Sequence, residues 1–158
     1  MADKTSLRPI IGVGVLIWRE QKILLGERLT KGAKMCWQFP GGHLENNESV
    51  TACAQREVKE ETGLQVKNFR HFGFTDKQFD VTQKKYITLL VSCDYQSGVA
   101  ETRESDKCAG WQWFDYQQLP SPLFQPISNF LLQLSSPTEK DLYVRHCVSQ
   151  ILPGITSE

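Results

Sequence analysis

Residues 42–64 read GHLENNESVTACAQREVKEETGL, and the periodicity of this stretch predicts a helix over residues 48–62. Its apolar stripe is formed by residues at four-residue intervals: Val50, Ala54 and Val58. At about 100° per residue, Glu57 and Glu61 fall on or beside the same stripe, and Glu60 lies close to it. We therefore expect acidic side chains on the helix face that points towards the protein.

The two ends of this helix also carry sequence signals. We expect Asn47 to cap the start and Gly63 to adopt the left-handed conformation at the end. The polar residues of the remaining face are expected to be exposed to solvent: Glu48, Gln55, Lys59 and Thr62.

The three glutamates are unfavourable where they stand. Like charges at i,i+3 and i,i+4 repel each other by a few tenths of a kcal/mol per pair, and anions are disfavoured at a helix C-terminus. Arg56 can pair with Glu60, but one positive charge cannot neutralise three negative ones. A hard divalent cation, Mg²⁺ or Mn²⁺, can, since such ions prefer oxygen ligands. The pattern thus favours a metal site over the alternative, a solvated network of surface charges.

The loops around residues 28–42 supply further candidates. Pro40-Gly41-Gly42 lacks bulky side chains, so its backbone can come close to a ligand or metal, or it can simply form a tight turn. Three nearby cations could contact phosphate oxygens or remain solvated: Arg28, Lys31 and Lys34.

Composition limits the class of protein. The chain has 158 residues, which suits a single domain over residues 1–158, and its 18 basic and 18 acidic residues cancel. A zero net charge argues against a protein that binds nucleic acid polymers non-specifically, but it does not exclude nucleotides. Apolar runs are shorter than the roughly 18 residues of a membrane span, so we expect no membrane association.

The five cysteines are odd in number, widely spaced and free of CxxC pairs, which disfavours disulfides and structural zinc and suits reduced thiols in the cytoplasm. Residues 9–18 (PIIGVGVLIW) could be a signal-peptide core, but a buried strand explains them better.

The rest of the chain predicts a mixed sheet with helices on its faces. Strands are expected at residues 10–18, 22–28, 37–39, 66–79, 85–95 and 111–114. Two more helices are expected at residues 122–134 and 141–151.

The stretch at residues 42–64 resembles the Nudix box, G-x5-E-x7-R-E-U-x-E-E-x-G-U, where U is aliphatic. All nine specified places are filled: Gly42, Glu48, Arg56, Glu57, Val58, Glu60, Glu61, Gly63 and Leu64. The flanking segments GVGVLI, LLGER, WQFPGGHLE and KCAGWQWF resemble MutT-type members, including the nucleoside triphosphate diphosphatases. The likeness extends over about residues 9–134.

This resemblance implies an α+β fold, an α/β/α sandwich around a mixed sheet, and Mg²⁺-dependent attack of water on a diphosphate linkage. The metal ligands it implies are Glu57, Glu60, Glu61 and the carbonyl of Gly41 or Gly42. The catalytic residues it implies are Glu60 as a base acting through water, Glu61, and Arg56, which orients the glutamates. Glu48 and Gly63 would be structural.

A second acid from outside the helix often joins the site in this family. Candidates precede the expected strand at residues 111–114: Glu101, Glu104 and Asp106. The substrate-binding candidates are Arg28, His43, Tyr86, Thr88, Asp106 and Phe124. Phe124 could stack on a base or be ordinary helix core, and Gln125 follows it where the relatives carry Trp. His43 could instead cap its loop.

Missing sub-signatures narrow the expected substrate. The proline typical of ADP-ribose hydrolases is absent, since Phe79 and Asp80 stand there, and the tyrosine typical of dinucleoside polyphosphate hydrolases is absent from residues 80–82. The remaining expectation is a (d)NTP pyrophosphohydrolase that releases a nucleoside monophosphate and pyrophosphate, an activity that would suit the sanitation of nucleotide pools. The alternatives are an ADP-ribose or nucleotide-sugar pyrophosphatase and a non-catalytic nucleotide-binding module. The resemblance also makes a homodimer plausible.

Overall fold

The computed structural model describes residues 8–29, 35–76, 85–124 and 127–128, without the side chain of Phe72. Within these residues the chain forms seven strands and one helix. In chain order they are β1 (Ile10–Arg19), β2 (Lys22–Arg28), β3 (Cys36–Gln38), β4 (Gly41–His43), α1 (Val50–Thr62), β5 (Gln65–Thr75), β6 (Tyr86–Ser97) and β7 (Cys108–Asp115).

The strands form one mixed sheet, as the sequence predicts, in the order β3-β2-β1-β6-β5. β1 and β6 run parallel, with Ile10 opposite Tyr86 and Trp18 opposite Asp94. The other pairs are antiparallel, including β4 with the first half of β1 and β7 with β2. One edge of β1 pairs with β6, and the other pairs with β4 at its start and with β2 at its end. The segment that precedes α1 is therefore part of the sheet.

β1 is buried on both faces, as expected for an Ile- and Val-rich central strand with a parallel neighbour. Val15 and Ile17 pack with Val58 of α1, whereas Leu16 and Trp18 belong to a second cluster on the opposite face. Burying one such side chain contributes about 1.5–3 kcal/mol. Two apolar clusters therefore hold the sheet, and the first of them fixes α1 against it.

Both ends of α1 are capped. The side chain of Ser49, not that of Asn47, accepts a hydrogen bond from the N–H of Ala52 at 3.0 Å. The expectation for Asn47 was wrong because the extended backbone of a cap occurs two residues later. Gly63 has a φ of 74°, and its N–H donates to the carbonyl of Lys59 at 3.1 Å, as predicted.

Two residues that the sequence predicts to face solvent, Thr62 at the end of α1 and Glu48 just before it, do not do so. Thr62 is fully buried, with its hydroxyl donating to the carbonyl of Val58 at 2.6 Å and accepting from the N–H of Leu64. A threonine can be buried when its hydroxyl is satisfied in this way. Glu48 pairs with Arg56 instead of facing solvent. The other two predicted solvent residues, Gln55 and Lys59, are exposed.

Most expected strands are present with shifted limits. β1, β2, β3, β6 and β7 correspond to the strands expected at residues 10–18, 22–28, 37–39, 85–95 and 111–114. β5 corresponds to the strand expected at residues 66–79 as far as Thr75, and residues 77–79 lie outside the described part. β4 was not expected, because two adjacent glycines indicate a turn more often than a strand.

The helix expected over residues 122–134 does not begin at its proline, because Leu123 pairs with Trp37 as an extended residue. Helical geometry is described at residues 127–128. The remainder of that segment and the helix expected over residues 141–151 lie outside the described residues, and so does the second helical layer of the expected sandwich.

Four of the five cysteines are among the described residues. Cys36, Cys53, Cys93 and Cys108 are free thiols, while Cys147 falls outside the described residues. Burial raises the pKa of both Cys53 and Cys93 to about 12. In the described part of the chain, no helix has the length and apolarity to cross a membrane.

Stability measurements on two variants test whether Ser49 or Asn47 caps α1. Ser49→Ala should lower the free energy of unfolding by about 1 kcal/mol, because one N–H of the first turn loses its acceptor. Asn47→Ala is the matched control and should change the stability by less than about 0.5 kcal/mol. Urea unfolding followed by circular dichroism measures both, and a larger loss for Asn47→Ala would place the cap where the sequence suggested.

Candidate active site

The two glycines of β4 lie directly beneath α1. Gly41 pairs with Gly14 of β1, and Gly42 pairs with Val13. A Cβ atom on Gly41 would collide with the carbonyl oxygen of Val13, and one on Gly42 would collide with the carboxylate of Glu57. At Gly41 the obstacle is backbone, so only glycine fits there, and at Gly42 a side chain would displace the Glu57 carboxylate. The glycine pair therefore does more than turn the chain, because it brings main-chain atoms against the acidic face of the helix.

Glu57 and Glu61 point towards the protein, as the helical periodicity predicts. The side chain of Glu57 is 12% exposed, and Glu61 accepts a hydrogen bond from the N–H of Gly41 at 3.4 Å. Burial, together with the nearby carboxylates of Glu57 and Glu104, raises the pKa of Glu61 to about 8. Burial also raises the pKa of Glu57, although Arg56 acts in the opposite direction. The site therefore holds two carboxylates whose charged forms are unfavourable without a cation.

Arg56 orients the acidic residues around it. Its guanidinium donates two hydrogen bonds to Glu48, at 2.7 and 3.0 Å, and one to Glu57 at 2.8 Å. It also reaches Glu60 at 3.3 Å and the carbonyl of His43. The hydrogen bonds from Arg56 lower the pKa of Glu48 to about 2. Because a guanidinium is a planar fork, these contacts fix the position of Glu57 as well as its charge.

The two half-buried glutamates line a pocket of about 520 Å³. The residues that line it come from β2, β3, β4, α1, β7 and their connections: Arg28, Leu29, Gln38, Gly41, Gly42, His43, Glu45, Glu57, Glu61, Glu104, Lys107, Cys108 and Trp111. Arg28 donates to the side chain of Gln38 at 2.7 Å and lies 4.2 Å from the centre of the Phe124 ring. Carboxylates and cations thus share one cavity.

The segment before β7 completes the pocket with Glu104 and Lys107, which form an ion pair at 3.6 Å. Of the three candidate acids in this segment, the structure brings Glu104 to the pocket, whereas Glu101 and Asp106 are exposed and outside its lining. The sequence did not single out Lys107 or Gln38. The one signal in the sequence for Lys107 was its position three residues after Glu104, a candidate acid with which it could pair.

Of the other predicted site residues, His43 lines the pocket, whereas Glu60, Tyr86 and Thr88 are outside its lining. The side chain of Glu60 is 52% exposed, pairs with Arg56 and is outside the pocket lining, so its role as ligand or base stays a prediction. Tyr86 and Thr88 share a strand face with Leu90, which belongs to the cluster opposite α1. His43 lines the pocket, with its ring 6.3 Å from that of Tyr86. Lys31 and Lys34 lie outside the described residues.

The sequence matches a known protein family over most of its length. A family profile described as "NUDIX domain" matches residues 8–134. The chain belongs to the Nudix family. Nudix hydrolases act on diphosphate bonds, and this chain is a hydrolase of that class, a Nudix pyrophosphohydrolase. The predicted membership in the Nudix family is therefore confirmed, and so is the predicted α+β fold with a mixed sheet.

Relatives of this Nudix chain carry different names. It is 30% identical over 133 residues to an "RNA pyrophosphohydrolase" of Hydrogenovibrio crunogenus, covering 73% of this chain and 78% of the relative. It is 31% identical over 118 residues to an "ADP-ribose pyrophosphatase" of Methanocaldococcus jannaschii, covering 75% and 69%. A MutT Nudix hydrolase structure from Burkholderia pseudomallei aligns with a TM-score of 0.71 at 25% identity, covering 82% of this chain and 99% of that one.

Nudix enzymes generally use a divalent cation, usually Mg²⁺, and the donor set of the pocket fits one. Within the described ranges, no three His, Cys, Asp or Glu side chains are grouped as a complete metal site. Mg²⁺ needs fewer, since it takes one or two carboxylates and fills its remaining positions with water and substrate phosphates. Glu57 and Glu61 are two such carboxylates, and their burial without a full counter-charge is the condition that a cation would relieve.

The raised pKa of Glu61 makes the stability of the metal-free protein depend on pH. Between about pH 5 and its folded pKa of about 8, the folded state keeps a proton that the unfolded state has lost, so stability falls as the pH rises. Glu61→Gln removes the titrating group, so the stability of the variant does not fall for this reason. In the presence of a chelator, the stability of Glu61→Gln relative to the wild type should increase from pH 5 to pH 8, by at most about 1.4 kcal/mol per pH unit, and then level off.

Urea unfolding at five pH values between 5 and 9 measures this difference, and titrating groups common to both proteins cancel. A difference that does not change with pH would mean that Glu61 titrates normally and is not buried beside Glu57. Addition of Mg²⁺ should stabilise the wild type more than the variant at pH 8.

Proposed function

We propose that this chain is a divalent-metal-dependent pyrophosphohydrolase of nucleoside triphosphates, which converts a (d)NTP and water into a (d)NMP and pyrophosphate. The observation that carries the proposal is that two half-buried carboxylates, Glu57 and Glu61, line one pocket together with the cations Arg28 and Lys107. Such a combination suits a polyphosphate with its metal ion better than a neutral ligand or an isolated anion.

The choice of triphosphates over other diphosphate compounds rests on the sequence. The flanking segments resemble the triphosphate diphosphatases, and the residues at 79–82 lack the proline and tyrosine that accompany two other substrate classes. The names of the two relatives keep ADP-ribose and RNA as competing substrates. A metal ion held by the same carboxylates could promote cleavage of a diphosphate linkage in either compound, so both are included in the substrate panel.

In the proposed reaction, a bound Mg²⁺ would lower the pKa of water and offset the negative charge of the phosphates. Glu57 and Glu61 would hold the ion, with the carbonyl of Gly41 or Gly42 as a further ligand. Arg56 fixes the Glu57 carboxylate through its 2.8 Å hydrogen bond. Arg28 and Lys107 contact phosphate oxygens. The oxygen of water forms a bond to phosphorus, the bridging P–O bond breaks, and pyrophosphate leaves with its electron pair.

A carboxylate must accept the proton of the attacking water. The resemblance assigns this role to Glu60, but Glu104 lines the pocket beside Glu57 and Glu61, whereas Glu60 pairs with Arg56 at the exposed edge of α1. We therefore propose that Glu104 works in the pocket, as proton acceptor or metal ligand, and that Glu60 contributes through Arg56. Phe124, next to Arg28, remains the candidate for stacking on the base.

The substrate class is tested by a panel with product identification. dNTPs, NTPs, ADP-ribose, a nucleotide sugar, NADH and a 5′-triphosphate RNA oligonucleotide are each incubated with Mg²⁺ or Mn²⁺. The proposal expects the highest kcat/KM for a triphosphate, with the monophosphate and pyrophosphate as products. Faster cleavage of ADP-ribose to two monophosphates, or of the RNA, would replace it. Nucleotide binding without turnover at any metal concentration would indicate a non-catalytic module.

The roles of the acids are tested by conservative variants. Glu61→Gln should lower kcat by about 10²–10³-fold or more while the fold survives, because a charge at the reacting centre is lost. Glu104→Gln should lower kcat more than Glu60→Gln does. A larger effect of Glu60→Gln would return the base to Glu60 and remove Glu104 from the chemistry. Glu20→Gln, in the turn between β1 and β2, is the control and should keep the wild-type rate.

A further inference from the structure

The loop between β6 and β7 is attached to the C-terminal end of α1. Carbonyl groups in the last turn of a helix have no partner within the helix and must find donors elsewhere. Here the N–H of Glu101 donates to the carbonyl of Thr62 at 2.9 Å, and the N–H of Arg103 donates to that of Glu61 at 3.4 Å. The loop therefore contacts the same turn of the helix that carries Glu61, a glutamate of the pocket.

The side chain of Arg103 reinforces this attachment. Its Nη1 atom donates to the carbonyl of Lys59 at 3.4 Å. Its guanidinium covers Gly63 so closely that a Cβ there would lie 2.7–2.9 Å from three of its atoms. Gly63 thus allows both the left-handed backbone and the flat packing of Arg103. A cation at this position is favourable, because the end of α1 combines the negative pole of the helix with several glutamates.

The next residue along the chain is Glu104, which enters the pocket. Its carbonyl accepts hydrogen bonds from the N–H groups of Lys107 and Cys108, at 3.0 and 3.1 Å, and these lead into β7. Glu104 is thereby held between Arg103, which is fixed on α1, and a turn, which is fixed on the sheet. Its side chain lines the same pocket as those of Glu57 and Glu61.

We propose that Arg103 is a positioning residue, which holds Glu104 against Glu57 and Glu61 by packing its guanidinium on Gly63 and the last turn of α1. This inference rests on the proposed function of Glu104 in the pocket. Arg103 itself is outside the pocket lining, and its side chain is 46% exposed, so it acts through the loop and not by contact with substrate. Its loss should therefore matter only while Glu104 is present.

The test is a double-mutant cycle of Arg103→Ala and Glu104→Gln, with two readouts: kcat and KM for dGTP, and Mn²⁺ binding to the substrate-free protein followed by electron paramagnetic resonance. Arg103→Ala should lower kcat by about 10-fold, as the loss of a residue that orients an active-site ligand does. It should also weaken Mn²⁺ binding, because the negative charge of Glu104 lies beside the ion whether Glu104 is a ligand or a proton acceptor. In the Glu104→Gln background, the same change should alter neither by more than about twofold. KM should move less than kcat, and Arg103→Lys should recover part of the loss.

Glu101→Gln is the matched control. It removes the exposed ion pair between Glu101 and the Arg103 side chain, at 3.3 Å, but leaves the packing on Gly63 intact, so both readouts should stay at the wild-type level. If Arg103→Ala does not fold, Arg103→Lys replaces it in the cycle and is judged by the same criterion.

Equal losses from Arg103→Ala in both backgrounds would overturn the proposal and reduce Arg103 to a general stabilising residue. Wild-type behaviour of folded Arg103→Ala would also overturn it. A wild-type protein that cleaves none of the phosphate compounds would contradict the proposed function, whereas the Mn²⁺ cycle would still decide the role of Arg103.

Discussion

The structure depends on keeping two carboxylates, Glu57 and Glu61, on the face of α1 that packs against the sheet. Desolvation of a charged carboxylate is costly, and the raised pKa of both groups expresses that cost. The surrounding residues limit it in three ways: Arg56 pairs with Glu57, the N–H of Gly41 donates to Glu61, and the pocket stays open to solvent and ions. The arrangement is unfavourable for stability and suited to a site that receives a cation.

The fold serves this arrangement. The parallel pairing of β1 with β6 and the apolar cluster beneath α1 fix the helix, and the pairing of β4 with the first half of β1 brings Gly41 and Gly42 under it. The same connections bring Arg28 from β2 and Glu104 from the segment before β7 to one cavity. The site is therefore assembled from distant parts of the chain, while α1 supplies its central acids.

The sequence could predict what depends on local periodicity and on the box. The helical phase of Glu57 and Glu61, the left-handed Gly63, the central apolar strand and the mixed sheet follow from residue spacing and composition, and the structure bears them out. The first three features need only the geometry of one helix or strand, and the mixed sheet follows from the order of such elements along the chain. They can be inferred without knowledge of what packs against each element.

Features that depend on tertiary packing were less accessible. Thr62 is buried, and Glu104 rather than Asp106 lines the pocket. Neither could be predicted, because both residues lie where the loop after β6 folds back onto α1. Likewise, the strand at Gly41–His43 forms because β1 offers a free edge, which the Gly-Gly sequence does not reveal. The cap at Ser49 depends on backbone conformation, which several adjacent polar residues could equally have provided.

The most direct test of the central claim is the anomalous scattering of Mn²⁺ in crystals of the wild-type protein. The predicted result is a peak at about 2.1 Å from carboxylate oxygens of Glu57 and Glu61, within the pocket beneath α1. Manganese bound instead at the exposed edge of the helix, with Glu57 and Glu61 making no contact with it, would contradict the assignment of these two residues as the metal-binding centre.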